Sequence, residues 1–561
     1  MQRTTLLLII LTITLTACQP STPTPEPSEP TQTIKPSTPI PTTTAAPTSD
    51  PSVKVVGDLE TVYKWETDRC ADNMLPDLPT RAFRDVDGMI NLTIPSTTNY
   101  RLIGSDFDSL KPDCSPVLLS DEDRNPANYN HSEWLASTYT EDGKTIYAII
   151  HNEYHGDQAG SVWQADLDFN SEQGAQYWTY QSWNGSSYSD MTYDSSRNEW
   201  AGFRPLCLIS PQGMHPDVDC DPTRTWTSPI NGTITISGKV YDQDSHGGNG
   251  IAAQILKGDE ELWSETIENG DETGASYNFE VDVQEGDQIH FRINARGDAG
   301  WDSTYFNPGI NIGPAPCPSG RHDMCTLISL TSAISTDGGK TYTHVTAPEH
   351  RIANFPYQYD PDWMRAIWQP SGIVKNPKDG YYYVLIQYDE HNAKYTQNAQ
   401  GMCVIRTQTL NDPTSWRAWD GTGFNMRFIN PYIETDANPD EHDCVLVAPE
   451  NGSMSYSLTY STYLEKFVAV GASGGVTPGF YYALSDDLIH WTPKKLLMEA
   501  TMGFVNGNKP PFDAYPSLID PNSPSMSFDT IGQSAYLYYS IFTNTDPWGI
   551  DLMRGKVEFS K

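Results

Sequence analysis

The segment Ser335-Thr-Asp-Gly-Gly-Lys-Thr-Tyr342 contains most of what the sequence reveals about the fold. Its Asp337 can accept backbone N–H groups in a tight turn, its glycines tolerate positive φ angles, and its aromatic residue can pack back between the adjoining strands. Residues 137–147 and 485–491 repeat this arrangement loosely. Hairpin turns that recur at large spacing are typical of the blades of a β-propeller.

Short alternating or aromatic-rich runs surround these turns. Such runs predict β-strands, and no segment has the periodicity of a long amphipathic helix. The clearest runs are residues 145–150, 233–237, 381–386, 466–470 and 535–539. We therefore expect an all-β chain.

A different pattern separates two regions with propeller-like segments. Between residues 176 and 316, regular alternation and turns such as Glu285-Gly-Asp287 predict an antiparallel β-sandwich. Because propeller-like segments lie on both sides, we expect a propeller formed by residues 54–175 and 317–561, with the sandwich inserted between its two parts.

Several of these segments resemble known families. The segment at 335–342 is similar to the Asp-box of sialidases, and Ser485-Asp-Asp-Leu-Ile-His-Trp491 resembles the S-x-D-L-x-x-W element of glycoside hydrolase families 43, 32 and 62. Asp379-Gly-Tyr-Tyr-Tyr383 is similar to the blade pattern of the same enzymes. The resemblance implies a five-bladed propeller and an inserted module like the carbohydrate-binding sandwiches of extracellular glycosidases. The N-D-P-N-G opening of family 32 and the R-I-P element and arginine triad of sialidases are missing, although Arg81 and Arg84 partly imitate that triad.

The N-terminus predicts export and anchoring. Arg3 precedes an apolar run at residues 6–15, and Leu-Thr-Ala-Cys18 is a bacterial lipobox. Cleavage before Cys18 would leave a lipidated N-terminus, so we expect a lipoprotein anchored to the membrane, at the cell surface or the periplasmic face. Residues 19–53 are rich in Pro, Thr and Ser and predict a disordered tether. An ordinary signal peptide with an accidental Ala17-Cys18 is the alternative.

The net charge excludes one class of binding partner, and the cysteine content predicts disulfides. With 72 acidic and 35 basic residues, the net charge of -37 would repel phosphate backbones, so nucleic acid is not an expected partner. Of the 9 cysteines, those other than Cys18 are even in number, which predicts disulfides in an exported chain. The pairs Cys207/Cys220 and Cys317/Cys325 are near enough in sequence to close small loops, and the remaining four cysteines could pair across the fold.

Hydrolysis of a glycosidic bond needs two carboxyl groups that face each other across the scissile linkage. Asp85 is one candidate, because the neighbouring Arg84 would keep it ionised as base or nucleophile. Glu153 is the other candidate, since it follows an apolar strand and stands between His151 and His155. Burial would raise its pKa, so we expect Glu153 to be the general acid. Structural acids that bridge blades are the alternative for both.

Further candidates lie in aromatic and proline-rich loops. Asp362 is the candidate third acid, and Trp363 and Tyr515 are candidates for binding the substrate together with Arg84, His151 and His155. Asp513 and the cluster Glu441-His-Asp443 are weaker choices.

Metal and cofactor sites are sparse. No C-x-x-C, H-E-x-x-H or phosphate-binding loop is present, so we expect no required cofactor and no catalytic metal. The segment Asp242-Gln-Asp-Ser-His-Gly-Gly-Asn249 could wrap a structural Ca²⁺ with its oxygen atoms, and a plain hairpin loop is the alternative.

These patterns predict an extracellular glycoside hydrolase that acts on a poly- or oligosaccharide through two carboxylates. The alternatives are a carbohydrate-binding surface lipoprotein without catalysis, a sialidase-like exo-glycosidase and a propeller that binds other proteins.

Overall fold

The computed structural model describes residues 51–156, 161–244, 246–312, 325–361, 363–392, 397–545 and 548–561. The predicted signal peptide with Cys18, residues 19–50 of the predicted tether, Cys317 and Asp362 lie outside these residues. The described part is all-β and forms six sheets. Its α-helices are single turns, α1 (Trp65–Asp68) and α2 (Gly503–Asn506), and its 3₁₀ helices are Pro126–Asn128, Ala175–Tyr177, Pro413–Ser415, Pro439–Glu441 and Pro449–Asn451.

The ends of the described chain meet in one four-stranded sheet, which we call the terminal sheet. Its order is β1-β38-β37-β35, so the first strand pairs antiparallel with the last. The strands are β1 (Ser52–Tyr63), β35 (Phe512–Ile519), β37 (Ser534–Thr545) and β38 (Trp548–Ser560).

The first sheet is an antiparallel meander in sequence order. Its strands are β2 (Ala82–Arg84), β3 (Ile90–Ile94), β4 (Thr98–Gly104) and β5 (Lys111–Leu119).

A ten-stranded sheet contains two antiparallel groups of strands. The first group is β6 (Ser132–Tyr139), β7 (Ile146–His155), β23 (Thr326–Ser335), β24 (Thr343–His344) and β25 (Arg351–Ala353). The second is β26 (Trp363–Ile367), β27 (Val374–Lys375), β28 (Tyr382–Asn392), β29 (Gln397–Thr407) and β30 (Arg417–Ala418). Among the described residues, two pairs, Leu327 with Arg365 and Ile328 with Ala366, join the groups through the parallel contact between β23 and β26.

The five-stranded sheet has the order β34-β33-β32-β31-β36. Its strands are β31 (Ser457–Ser461), β32 (Lys466–Ser473), β33 (Gly479–Ser485), β34 (Lys495–Glu499) and β36 (Thr530–Ile531).

Two further sheets, which we call the paired sheets, share one core of large apolar side chains that includes Trp178, Trp226, Ile236 and Phe291. The six-stranded member consists of β9 (Trp178–Trp183), β10 (Tyr188–Asp190), β15 (Asp221–Thr227), β17 (Ile251–Lys257), β18 (Glu260–Ile267) and β20 (Gln288–Asn294). The nine-stranded member consists of β8 (Trp163–Gln164), β11 (Thr192–Asp194), β12 (Glu199–Ala201), β13 (Leu208–Ser210), β14 (Gly213–His215), β16 (Gly232–Asp242), β19 (Ala275–Val283), β21 (Thr304–Phe306) and β22 (Gly309–Ile312).

In each of the three repeated turns, an aspartate carboxylate accepts two backbone N–H groups of its own turn. Asp337 accepts from the backbone N–H groups of Lys340 and Thr341 at 3.0 and 3.1 Å. Asp142 and Asp487 accept from the N–H groups two and three residues ahead of them, at 2.7 to 3.0 Å. The carboxylates therefore hold these hairpins in shape rather than facing a common site.

Buried Arg81 joins several sheets at one point. Its guanidinium donates to the carbonyl oxygens of Ala136 at 3.2 Å, Pro370 at 2.9 Å and Tyr456 at 2.7 Å. These acceptors lie in β6, just after β26 and just before β31. The first sheet, both groups of the ten-stranded sheet and the five-stranded sheet therefore converge on Arg81.

Disulfides cross-link the described residues. Cys207–Cys220 closes a small loop as expected, and Cys70–Cys114 and Cys403–Cys444 join more distant segments. No helix in the described ranges is both long and apolar enough to cross a membrane.

Candidate active site

Two carboxyl groups, those of Glu153 and Asp77, lie close enough for the charge of one to act on the other. Glu153 lies near the end of β7, and Asp77 lies in the segment that precedes β2. The backbone N–H of Asp77 donates to Pro95 at 2.9 Å, and Ser540 of β37 donates to the carbonyl of Pro76 at 2.6 Å. These bonds fix Asp77 between the first sheet and the terminal sheet.

The alternation of β7 builds the surroundings of Glu153. Residues two apart on a strand face the same side, so His151, Glu153 and His155 share one face. The Nε2 atom of His151 lies 2.6 Å from Oε1 of Glu153, and Nε2 of His155 lies 2.8 Å from Oε2. Nδ1 of His151 is buried and has no hydrogen-bond partner among the described residues.

These histidines decide the charge of Glu153. Burial opposes ionisation, but the hydrogen bonds from His151 and His155 outweigh it and hold the pKa of Glu153 far below its usual range. The prediction that burial raises this pKa is therefore wrong in direction. With 18% of its side chain exposed, Glu153 remains accessible as an ionised carboxylate.

The pKa of Asp77 is shifted in the opposite direction to that of Glu153. Burial, followed by repulsion from the charge of Glu153, raises the pKa of Asp77 to about 7. Tyr515 donates its hydroxyl to Oδ1 of Asp77 at 3.2 Å, and this bond and one from Trp134 counteract part of the rise. At neutral pH the site thus contains one ionised carboxylate and one carboxyl that is substantially protonated.

Half-buried aromatic side chains surround the two acids. Trp134 of β6 meets the ring of His151 edge-on at 5.6 Å, and Trp368 stacks on the same ring at 6.5 Å. The ring of Tyr456, just before β31, lies 6.3 Å from the ring of Tyr515 in β35. Such rings offer flat apolar faces with polar tips.

A bulge in β35 aims Tyr515 at Asp77. Tyr515 has a φ of 57°, in the left-handed region, and the register of β35 with β37 shifts between Ala514 and Ser517. Bulges of this kind redirect a side chain next to functional sites. The predicted binding residue Tyr515 is therefore brought to the acids.

The structure does not bring Asp85 to Glu153. Asp85 closes the turn between β2 and β3, where Oδ1 accepts the backbone N–H groups of Asp87 and Met89 at 3.0 and 2.9 Å. Val86 bonds to Gly143, in the turn before β7. Glu153 lies seven residues after Ile146, the first residue of β7. At the usual rise of a strand, these two residues are about 23 Å apart. Asp85 and Glu153 therefore do not form the pair that the sequence predicts, because Asp85 closes a turn near the opposite end of β7.

Two other expected binding residues lie away from the acids. Arg84 places its guanidinium over the ring of Phe528 at 5.0 Å, beside the turn that contains Asp85. Trp363 begins β26, and its ring lies 5.1 Å from the guanidinium of Arg365. Ile328 pairs with both Glu153 and Ala366, so these two residues lie level with each other in the sheet. Trp363 is three residues from Ala366, which places it about 10 Å further along the strand. Asp362 is outside the described residues.

Sequence reasoning missed Asp77, Trp134, Trp368 and Tyr456. His151 and His155 carried a readable signal in the i, i+2 spacing around Glu153. Asp77 carried none beyond its place in a Pro-rich loop, because its neighbours come from distant parts of the chain.

No family model matches the sequence, and neither does any curated protein. Among solved structures, one described as a glycoside hydrolase is 10% identical, with 90% of this chain and 92% of that chain covered and a TM-score of 0.35. A BT0996 RGII complex is 10% identical over 90% of this chain and 92% of that chain, with a TM-score of 0.32. A putative exo-β-1,3-galactanase from Bifidobacterium bifidum s17 is 12% identical over 42% of this chain and 82% of that chain, with a TM-score of 0.21. Likeness at this level carries no argument, so function is argued from the site.

Proposed function

We propose that this protein hydrolyses glycosidic bonds with Asp77 and Glu153 as its carboxyl pair. One observation carries the proposal: Glu153 accepts from two histidines while the nearby Asp77 is buried, so their surroundings favour opposite charge states, and aromatic side chains lie beside them. A glycosidase needs such a pair, with one group to protonate the leaving oxygen and one to act as nucleophile or to activate water.

The environments assign the roles. Asp77 retains a proton up to about pH 7 and supplies it to the glycosidic oxygen. Glu153 stays ionised because His151 and His155 each donate to one of its oxygens, and the remaining lone pairs face the sugar or a water molecule. The aromatic faces of Trp134, Trp368, Tyr456 and Tyr515 would stack on the C–H faces of the sugar ring.

The same proposal includes a five-bladed propeller as the frame. Five groups of antiparallel strands support it: β2–β5; β6, β7, β23 and its edge strands; β26 and β28–β30; β31–β34; and β35, β37, β38 and β1. The pairing of β1 with β38 would close the ring of blades, and the paired sheets would form an inserted sandwich. Anchoring through Cys18 at the cell surface or the periplasmic face completes the proposed arrangement.

Sialic acid cleavage is less well supported. A sialidase needs free arginines for the sugar carboxylate, whereas the guanidinium of Arg81 donates to three main-chain carbonyls and Arg84 lies beside the distant turn. A carbohydrate-binding protein without catalysis would use the same four aromatic side chains. The experiment must therefore measure both binding and hydrolysis.

The test is a screen of extracellular polysaccharides, oligosaccharides and aryl glycosides for release of reducing sugar. The wild-type chain should release product from at least one class. The double variant Asp77→Asn/Glu153→Gln should bind that substrate in calorimetry without releasing product. Binding by the wild type without release of product from any bound glycan would instead establish a binder, and indifference to all glycans would overturn both functions.

A further inference from the structure

Three loops meet at one end of the paired sheets. They follow β16, β18 and β20, and their described residues are 243–244, 246–250, 268–274 and 295–303. The backbone N–H of Gly270 donates to Oδ2 of Asp242 at 2.6 Å, that of Gln243 donates to the carbonyl of Ser303 at 2.8 Å, and Nη1 of Arg296 donates to the carbonyl of Asn249 at 2.6 Å. The loops are therefore fixed against one another.

Oxygen atoms without donors collect where these loops meet. Asp302 is 1% exposed, and both of its carboxylate oxygens are without a hydrogen-bond partner among the described residues. The side-chain oxygens Oδ1 of Asp244, Asn249 and Asn269 are buried and equally unpartnered there. Every one of these atoms is an acceptor, so they cannot satisfy each other, and a buried carboxylate without a partner is costly.

The charges of the loops make the same point. Asp298, Asp242 and Asp244 lie close enough to Asp302 to repel a negative charge on its carboxylate. Arg296 is the nearby cation, but its guanidinium donates to the carbonyl of Asn249 and lies 3.5 Å from Glu268. It makes no hydrogen bond to Asp302, so its charge offsets only part of the repulsion among the carboxylates.

Gly248 keeps the space beside Asp302 open. It has a φ of 88°, and a Cβ atom there would lie 2.0 Å from the carbonyl oxygen of Gly300 and 3.6 Å from Oδ1 of Asp302. Only glycine fits this approach, which leaves a main-chain carbonyl and a carboxylate oxygen on the same side.

We propose that these three loops bind one Ca²⁺ ion, with Asp302 and Asp244 as carboxylate ligands and Asn249 as an amide ligand. No three His, Cys, Asp or Glu side chains within the described ranges are already arranged as a metal site, so amide, main-chain and water oxygens complete the coordination. Ca²⁺ accepts six to eight oxygen ligands in flexible geometry, whereas Mg²⁺ demands a near-ideal octahedron and retains its waters. An irregular set of loop oxygens therefore selects Ca²⁺.

Terbium luminescence tests the site in the full chain. Trp301 is 53% exposed, adjoins Asp302 in sequence and packs on His246 at 4.9 Å, so Tb³⁺ bound in place of Ca²⁺ should show sensitised emission. Calcium should displace this signal. Asp302→Asn should weaken binding by about a hundredfold or more, since even residues that only orient a ligand cost about 10- to 100-fold. Asp259→Asn, in an exposed turn of the same sheets, is the matched control and should bind normally.

Thermal unfolding gives a second, independent readout. In EDTA, Asp302→Asn removes a repelled buried charge and should raise the transition temperature of the paired sheets. In millimolar Ca²⁺ the wild type should be the more stable of the two, so the order reverses. If Asp302→Asn does not fold, Asp244→Asn and the wild-type titrations take its place. Absence of Tb³⁺ and Ca²⁺ binding by the wild type, or the same order of stability in both buffers, would overturn the proposal.

Discussion

The charge of Glu153 is set by single hydrogen bonds from its neighbours two positions away. An imidazole N–H that donates to a carboxylate stabilises the ionised form, and two such donors bind separate oxygens of Glu153. Burial alone would have given the reverse result. The roles of the acids therefore depend on His151 and His155 as much as on the acids themselves.

Removal of one histidine should change the pH dependence of activity. In His155→Ala, Glu153 loses one donor, so its pKa should rise by about one unit and the acidic limb of the kcat/KM profile should move to higher pH. His290→Ala, in the paired sheets, provides the control and should leave the profile unchanged. A loss of activity at all pH values with an unmoved acidic limb would speak against this role.

The raised pKa that would make Asp77 a general acid should also lower the free energy of unfolding as the pH rises. Its pKa rises from 3.8 to about 7 on folding, so the unfolded chain gives up the proton first and stability falls as the pH rises between these values. Asp77→Asn lacks this loss. Above pH 7 it should therefore be more stable than the wild type, by about 3–5 kcal/mol, and near pH 4 the difference should nearly vanish. Urea unfolding at both pH values measures this, and equal stability throughout would contradict it.

The sequence predicted Glu153 with its two histidines, because the i, i+2 pattern is local. It could not predict Asp77, whose partners Trp134 and Tyr515 are remote in the chain, and it misplaced Asp85. The adjacent charges of Arg84 and Asp85 suggested an ionised catalytic carboxylate. Whether Asp85 faces the site depends on where β2 ends and on the direction of the turn that follows, and neither can be predicted from these two residues.

At the scale of elements, the bulge in β35 couples the terminal sheet to the acids. The hydroxyl of Tyr515 holds the pKa of Asp77 down, so Tyr515→Phe should raise it and move the alkaline limb of the kcat/KM profile to higher pH, by about half a unit. The ring and the bulge remain, so the folding stability should stay within about 1 kcal/mol of the wild type. An unchanged alkaline limb would show that the hydroxyl does not act on Asp77.

Strands and turns were more predictable than their partners. The runs at 145–150, 233–237, 381–386, 466–470 and 535–539 all lie at least partly within strands, because alternation and β-branched or aromatic residues act locally. The pairing of β1 with β38 could not be read from sequence, since register depends on contacts between residues some five hundred positions apart.

At the scale of the whole molecule, Arg81 is the point that holds the sheets around the site. Arg81→Met would leave the carbonyls of Ala136, Pro370 and Tyr456 without their donor, and we expect a loss of roughly 3–5 kcal/mol in the free energy of unfolding. Arg84→Met loses only a contact with the ring of Phe528 and should cost about 1 kcal/mol or less. Urea titrations of both variants decide between a central and a peripheral role for Arg81.

The central claim is that Asp77 and Glu153, and not Asp85, form the reacting pair. Turnover by Asp77→Asn, Glu153→Gln and Asp85→Asn on one substrate of the wild type tests it most directly. The first two variants should lose about 100-fold or more in kcat while remaining folded, whereas Asp85→Asn should keep kcat near the wild-type value. Full activity in either of the first two variants, or a comparable loss in Asp85→Asn, would contradict this pairing.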